Sequence, residues 1–518
     1  MRSLAAEFAA YRWAPSTEEL AQRAGLDPIE VLRFDGNVPP LPLPSTRPAA
    51  IASALARVNE YAHGGYPLIH GAIADYAGVE PENVVLGAGA DDLLLLVGRT
   101  FAGPGDTVAI PAAPTYPLFR ISAQLAGAAV GDDAPVLTFA CRPANPTGAL
   151  DSLPSARPLV VDEAYFEYAD DPGAVGLIDD GVVVVRTFSK IFALASARIG
   201  YALASREVAA ELNARQAPEP VSTLSVALAL AALESPPDPA AVIEERERLA
   251  SALRTIGYQP LPSRANFVYL PVSDPAGLAE DLLNVGCVVR VFEDAVRISV
   301  RDREDDDVIL AALAGEPRPT GRRARHVRAT AETTIRVRLV LDGASRVRAA
   351  TGAGLYDHLL EQLAFHGGLD LVVEGAGDWE TGPHHTAEDG AIAVGEALDR
   401  ALGDRGGIAR YGNAVVPMDE ALAQAAVDLG GRRGAEIRLE REAAGGAAGR
   451  ADDGSGVLGL ARHALESLAS AARLTLHVSA RGRDEHHVAE AAYKAVGRAL
   501  RAAVRREGEG LPSTKGVL

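Results

Sequence analysis

Three lysines, at positions 190, 494 and 515, survive in a chain of 518 residues that is otherwise rich in arginine. On a solvated surface the two residue types are interchangeable, but only an amine forms a Schiff base and only lysine is a compact point charge. Lys190 ends the run GVVVVRTFSK, with Ser189 before it and Arg198 eight residues on. A lysine at a strand end, partly desolvated and near a second cation, has the lowered amine pKa that Schiff-base chemistry requires. Upstream, VVDEAY puts Asp162 and Tyr165 at another strand end, where a carboxylate can pair with a pyridinium nitrogen and a phenol can reach a ring oxygen. The stretch LGAGADDLLL fits a strand, a glycine turn and a helix N-terminus whose backbone N–H groups would hold a phosphate.

A second chemistry follows from the histidines, eight of eleven falling between positions 358 and 487. His384, His385 and Glu388 form one HHxxE motif and His486, His487 and Glu490 another. On a helix, one turn brings such a trio close enough to serve one or two divalent ions. Each copy is preceded by a further histidine, His358 or His463, at 26 and 23 residues. One HHxxE carries little weight. Two, at matched places in an internal repeat, point to duplicated metal sites. Imidazole and carboxylate ligands without sulfur suit Mn, Zn or Fe.

The elements that must position these residues are legible too. From about 45 to 270, short β-rich runs alternate with helical patterns, which reads as a mostly parallel buried sheet with crossover helices and ligand groups at the carboxyl ends of strands. The runs NFVYLPV, CVVRVF and VRISV suggest a smaller α+β unit ending near Ala314. Residues 315–325, GEPRPTGRRAR, read as a linker, and 443–456, rich in Gly and Ala, as a surface loop. Beyond the linker, YDHLLEQLA aligns with ARHALESLA, and HHTAEDGAIAVGEALDRAL with HHVAEAAYKAVGRALRAAV, implying two similar βαβ-like halves in 326–518.

In this order the first set of motifs resembles the fold-type I pyridoxal-phosphate aminotransferases, most closely histidinol-phosphate aminotransferase, over about residues 30 to 315. The resemblance implies a large domain over about 45–220 and a small domain built from the N-terminal segment and about 221–314. It implies that Lys190 carries the cofactor as a Schiff base and shuttles a proton, and that Asp162 holds the ring nitrogen protonated. Asn145 of NPTG and Tyr165 would bind the ring hydroxyl, and Tyr116 would stack on the ring. Ala90, Asp91, Ser189 and Arg198 would hold the phosphate, with Tyr66 lent across a dimer interface. Arg297 of VRISV would bind the donor carboxylate in a bidentate fork. The sequence departs from the family at DGNVPP, where Gly36 replaces a glutamate, at CRPANPTG, and at ALASAR after Lys190; these bear on acceptor specificity.

The second set resembles imidazoleglycerol-phosphate dehydratase over nearly all of 325–518, through AETTIRVRLVLDG, TGAGLYDHLLEQLAFHG, GIARYGNAVVPMDEAL, VDLGGRRG and PSTKGVL. The resemblance implies an α+β domain of two duplicated halves. His358, His384, His385, Glu388, His463, His486, His487 and Glu490 would ligate two manganese ions, some across subunit contacts. Glu332 would be the general base, and Arg410, Arg432, Lys494, Ser513 and Lys515 would hold the substrate phosphate. His366 and His477 lie outside the ligand frame. An imidazole held by the metals can then expel the neighbouring hydroxyl, the metals acting as Lewis acids and template.

Together the halves would dehydrate imidazoleglycerol phosphate to imidazole acetol phosphate and transaminate that product with glutamate to histidinol phosphate. Competing readings are a different aminotransferase or a phospho-amino-acid decarboxylase in the first half, or one half kept as an inactive scaffold. A net charge of −19 argues against nucleic-acid binding, and Cys141 and Cys287 match no disulfide or metal spacing. No apolar run approaches a membrane span, and the N-terminus lacks a signal-peptide layout, so a cytoplasmic protein is expected. By resemblance it is a homo-oligomer, with dimer contacts in the first half and a trimer-based larger assembly in the second.

Overall fold

The computed structural model describes residues 8, 13–39, 48–319, 322–343, 345–377, 383–442, 456–508 and 510–512. The chain divides into two compact units, Met1–Pro319 and Thr320–Leu518. Among the described residues no helix is long and apolar enough to cross a membrane.

The first unit begins its strands with the short β1 (Leu32–Arg33), followed by β2 (Val84–Gly87), β3 (Thr107–Ala109), β4 (Ala129–Val130), β5 (Leu137–Cys141), β6 (Leu159–Asp162), β7 (Val182–Thr187) and β8 (Gly200–Leu203). Strands β2 to β8 form one sheet in the order β2-β8-β7-β6-β5-β3-β4. Strand β8 is antiparallel to β2 and β7, and the other pairs are parallel. Every residue of β6 and β7 is buried, as β-branched runs covered on both faces must be. Their carboxyl ends therefore open side by side, placing Asp162 next to the segment that carries Lys190.

A smaller part contains β9 (Phe267–Pro271), β10 (Cys287–Val288), β11 (Arg290–Val291) and β12 (Ala295–Ser299). The order β11-β12-β9 is antiparallel, and β1 joins β10 in parallel. The helix Thr223–Leu233, past the expected boundary at about 221, packs with the large sheet. Its sequence TLSVALALAAL has no polar face, and Ala229 and Ala232 enter the core beneath the large sheet with Leu86, Val161 and Tyr201.

The second unit opens with β13 (Arg323–Ala329), β14 (Thr333–Val340), β15 (Val347–Ala350) and β16 (Asp370–Gly377), and continues with β17 (Tyr411–Met418), β18 (Ala421–Asp428), β19 (Gly434–Arg441) and β20 (Thr475–Gly482). Strand β13 starts inside the segment read as a linker. Its alternating RARHVRA looks like a charge run, yet all seven residues pair with β14 and His326 is buried. The sheets β13-β14-β16-β15 and β17-β18-β20-β19 have one topology, an antiparallel hairpin followed by a parallel βαβ unit. In β18 buried and exposed residues alternate strictly, so one face of the sheet is covered.

The helices cross between the two halves. Helix His384–Leu402 packs on the first sheet and on helix Gly456–Ala471; helix Glu485–Ala503 packs on the second sheet and on helix Gly354–Gly367. Both crossings are set by the glycine of the repeated AVG. A Cβ at Gly395 would come 2.6 Å from Leu468 O, and one at Gly497 would collide with Leu363 O. These contacts bind both halves into one hydrophobic core.

Candidate active sites

In the first unit, Asp162 ends β6 only 4% exposed, its Oδ1 accepting from Ala164 N at 3.0 Å. Burial pushes its carboxyl up to about 7. Half-buried Lys190 lies three residues past β7, with Nζ 5.5 Å from the ring centroid of Tyr165. Desolvation, helped by the positive charge of Arg297, lowers its amine to about 8. Tyr165 is buried edge-on to Phe267, and its Oη accepts from Asn37 Nδ2 at 3.0 Å. Asn145 Oδ1 accepts from Arg297 Nη1 at 2.5 Å.

The helix that follows β2 begins at Ala90 behind Gly89, whose φ is +88°. A Cβ there would come within 2.7 Å of Arg198 Nη2, so the turn is a cradle that a side chain would fill. Asp91 accepts from Tyr116 Oη at 2.8 Å and pairs with Arg198 at 3.2 Å. Buried Ser189 accepts from Thr187 Oγ1 at 3.0 Å on the strand end that leads to Lys190. A nucleophilic amine, a buried carboxyl and a helix N-terminus beside an arginine form the donor set that pyridoxal phosphate needs for its aldehyde, ring nitrogen and phosphate. Tyr66 stands elsewhere. Its hydroxyl donates to Val221 O at 2.8 Å, on the wall of a cavity of about 500 Å³ that Arg57, Tyr61, Leu68 and Thr223 also line.

Arg290 is a residue that sequence reasoning missed. It is the register partner of Arg297 across β11 and β12, so two arginines face each other on one side of the sheet. Directly opposed like charges disfavour the pairing unless an anion lies between them. The signal was present in VVRVFEDAVRIS, where a short turn separates two arginine-bearing β patterns.

In the second unit, each ligand cluster draws on both copies of the repeat. His358, His486 and Glu490 form one, and His384, Glu388 and His463 the other, the ligand atoms of each lying within 4.8 Å of one another. In the first, His358 and His486 stack at 5.4 Å and approach Glu490 Oε2 at 3.2 and 3.3 Å. Burial alone would raise the Glu490 carboxyl, but hydrogen bonds from Lys494, at 2.7 Å, and from His358 hold it below the usual range. In the second, His384 and His463 stack at 4.8 Å, with Glu388 Oε2 at 4.0 and 3.4 Å. Asp484 caps the His486 helix by accepting from the backbone N–H groups of His486 and His487 at 2.8 and 3.3 Å. Imidazole and carboxylate donors in this number suit a divalent ion with open positions.

His385 and His487 join neither cluster within the chain, because adjacent residues on a helix point about 100° apart. His385 Nδ1 faces Glu332 Oε2 at 3.4 Å, and His487 Nδ1 faces Glu420 Oε2 at 2.9 Å with Asp419 at 3.7 Å. Glu332 and Glu420 occupy equivalent hairpin turns, β13–β14 and β17–β18. The second member of this pair was missed, although the repeat predicts a turn there.

Arg410 and Arg432 converge on Asp428, at 2.7 and 3.8 Å, and Arg410 also donates to Pro512 O at 3.0 Å. Lys494 sits instead on Glu490 and 3.7 Å from Met418 Sδ. Ser513 and Lys515 lie outside the described residues. His366 and His477 belong to neither cluster.

Residues 29–132 and 131–313 match the family model for aminotransferase class I and II, and residues 351–500 that for imidazoleglycerol-phosphate dehydratase. The chain is 46% identical over 197 residues to the imidazoleglycerol-phosphate dehydratase of Methanococcoides burtonii, covering 38% of this chain and 100% of that protein. It is 49% identical over 200 residues to the enzyme of the same name from Frankia casuarinae, covering 38% and 99%. Among solved structures, histidinol-phosphate aminotransferase from Sinorhizobium meliloti in complex with pyridoxal-5'-phosphate has a TM-score of 0.53 at 26% identity, covering 60% of this chain and 97% of that one. A putative histidinol-phosphate aminotransferase from Erwinia carotovora shares the fold, with a TM-score of 0.51 at 24% identity over 59% of this chain and 98% of that one.

Proposed function

Because the chain belongs to the aminotransferase class I and II family through its first unit and to the imidazoleglycerol-phosphate dehydratase family through its second, we propose that one polypeptide carries out two consecutive steps of histidine synthesis. The second unit dehydrates imidazoleglycerol phosphate to imidazole acetol phosphate. The first transaminates that product with glutamate, giving histidinol phosphate and 2-oxoglutarate. The observation that carries the reading is the presence, in one chain, of a lysine amine lowered to about 8 beside Asp162 and of two crossed His/Glu clusters.

Bound pyridoxal phosphate supplies an aldehyde that bonds the substrate amine and a ring that takes up electrons. Lys190 holds it and moves the proton at the substrate α-carbon, its lowered amine poised to act as a base near neutrality. Asp162 keeps the ring nitrogen protonated. Asn145 and Tyr165 position the ring hydroxyl, Tyr116 covers the ring, and Ala90, Asp91, Ser189, Arg198 and the partner copy's Tyr66 hold the phosphate. Arg297, with Arg290 opposite, takes the anionic end of each substrate in turn.

In the second unit two divalent ions, manganese by family, supply Lewis acidity at the imidazole. The two clusters hold them, and Glu332 takes the carbon-bound proton. Arg410, Arg432 and Lys494, with Ser513 and Lys515, bind the phosphate. His385 and His487 lie outside both clusters of their own chain, as ligands to the ions of a neighbouring copy would. That supports a homo-oligomer, as does the exposure of Tyr61 and Leu68 beside Tyr66. A cytoplasmic location fits the two biosynthetic enzyme families to which the units belong.

Incubating the purified chain with imidazoleglycerol phosphate, manganese and glutamate tests the pairing: histidinol phosphate and 2-oxoglutarate form in equal amounts. Failure to form 2-oxoglutarate from imidazole acetol phosphate itself would end the histidinol reading of the first unit.

A further inference from the structure

Asp389 follows Glu388 on the helix His384–Leu402 and is only 7% exposed, yet it belongs to neither His/Glu cluster. Its carboxylate meets the hairpin between β13 and β14 instead. Oδ1 accepts from Arg328 Nε at 2.7 Å, and Oδ2 accepts from the hydroxyl of Thr333 and, at 3.2 Å, from that of Thr330. Thr330 Oγ1 in turn accepts from the backbone N–H groups of Glu332 at 3.2 Å and of Thr333 at 3.0 Å. Both ends of this link have a fixed sense, because a backbone N–H only donates and a carboxylate beside a guanidinium only accepts. Whichever way the 3.3 Å contact between the two threonine hydroxyls runs, a threonine proton ends on Asp389. One buried carboxylate thus holds the turn that carries Glu332.

The repeat supplies an internal comparison. On the second helix Ala491 stands where Asp389 stands on the first, and the matching turn between β17 and β18 is held by its own glutamate. Glu420 Oε1 accepts from the backbone N–H groups of Arg483 at 3.2 Å and Asp484 at 2.8 Å, while Oε2 faces His487 Nδ1 at 2.9 Å. Glu332 has no such duty. Among the described residues its side chain, 53% exposed, meets His385 Nδ1 at 3.4 Å. Where the aspartate does the holding, the glutamate of the turn stays accessible to a substrate.

We propose that Asp389 is a positioning residue of the dehydratase site: through Thr330 and Thr333 it fixes the turn that carries Glu332 to the helix that carries Glu388. The proposal rests on the reading of Glu332 as the base that takes the carbon-bound proton. A base displaced from its place costs rate and leaves substrate affinity and metal binding as they were.

Asp389→Ala, which puts in the residue that the other copy carries, tests this in the full-length, manganese-loaded protein. Amide hydrogen exchange at Glu332 and Thr333 becomes about tenfold faster, the protection that one hydrogen bond confers, while the Glu420 turn exchanges as in the parent. The kcat of dehydration falls about a hundredfold, the effect of a reacting group moved by about 1 Å, with KM and manganese content unchanged. Thr330→Ala, at an exposed position, does the same and serves where the aspartate variant fails to fold. Thr330→Ser restores the hydroxyl and the parent's behaviour. In a Glu332→Gln background Asp389→Ala lowers kcat no further. An unchanged kcat in both Asp389→Ala and Thr330→Ala, loss of manganese in place of rate, a Thr330→Ser protein as slow as Thr330→Ala, or a further loss on top of Glu332→Gln overturns the role of Asp389 and leaves the base reading standing. A Glu332→Gln protein with the parent's kcat removes that reading, and the proposal with it.

Discussion

His463 lies 3.4 Å from Glu388, a residue of the other copy of the repeat, and the ring of His463 stacks on that of His384. Glu388 therefore belongs to one cluster only. Glu388→Gln keeps the shape but weakens the donor, so bound metal should fall from about two ions per chain to about one. Dehydration is lost while transamination is unchanged. Metal analysis after gel filtration, with both activities assayed on the same sample, gives the answer; loss of both ions would mean that the clusters are not independent.

Gly497 and Gly395 put the helix crossings where they are, and the crossings put the ligands where they are. Gly497→Ala drives a methyl into the Leu363 carbonyl and forces the His486 helix away from the His358 helix. Overpacking of this kind costs about 1 to 3 kcal/mol. The melting transition of the second unit should drop by several degrees, and manganese affinity should fall although no ligand has changed. Unaltered metal affinity would show that the cluster tolerates a displaced helix.

Much of this architecture could be read from the residues alone. Motif order placed Lys190 and Asp162 at neighbouring strand ends, because buried parallel strands are written as continuous β-branched runs. The repeat pointed to two His/Glu clusters, because HHxxE is a local helical pattern. What escaped was partnership between distant segments. Nothing in the spacing of His358 and His384 says that each clusters with residues of the other copy; that follows from which helices cross at Gly395 and Gly497. Nor does the sequence show that Arg290 faces Arg297, since register depends on the turn between their strands.

Arg290 and Arg297 make opposite contributions to folding and to binding. Removing one charge from a directly opposed like pair relieves about 0.2 to 1 kcal/mol of repulsion. Losing a charge-assisted bond to a substrate anion costs about 1.5 to 3 kcal/mol. Arg290→Gln should therefore melt slightly higher than the parent without substrate, while its KM for the phosphorylated acceptor rises roughly ten- to a hundredfold. Calorimetry and steady-state kinetics on one preparation separate the two effects. A lower melting temperature with unchanged KM would make Arg290 a structural residue.

Asp162 carries the last prediction, in which the sign is decisive. Burial raises its carboxyl to about 7 in the folded chain, against roughly 3.9 when unfolded. Between those values the folded state keeps a proton that the unfolded state has lost. Stability of the cofactor-free first unit accordingly declines as pH rises from about 4 to about 7 and levels off above, with a slope of at most about 1.4 kcal/mol per pH unit for this one group. An ion-paired carboxylate, with its pKa depressed, would give the reverse. Glu167, also pushed up to about 7 by desolvation, acts in the same window, so Asp162→Asn should reduce the slope without abolishing it. Denaturant midpoints between pH 5 and pH 8, for the transition that responds to added pyridoxal phosphate, provide the measurement. If the parent and Asp162→Asn proteins show equal slopes, the Asp162 carboxyl is already ionised in the cofactor-free fold, and burial does not raise it.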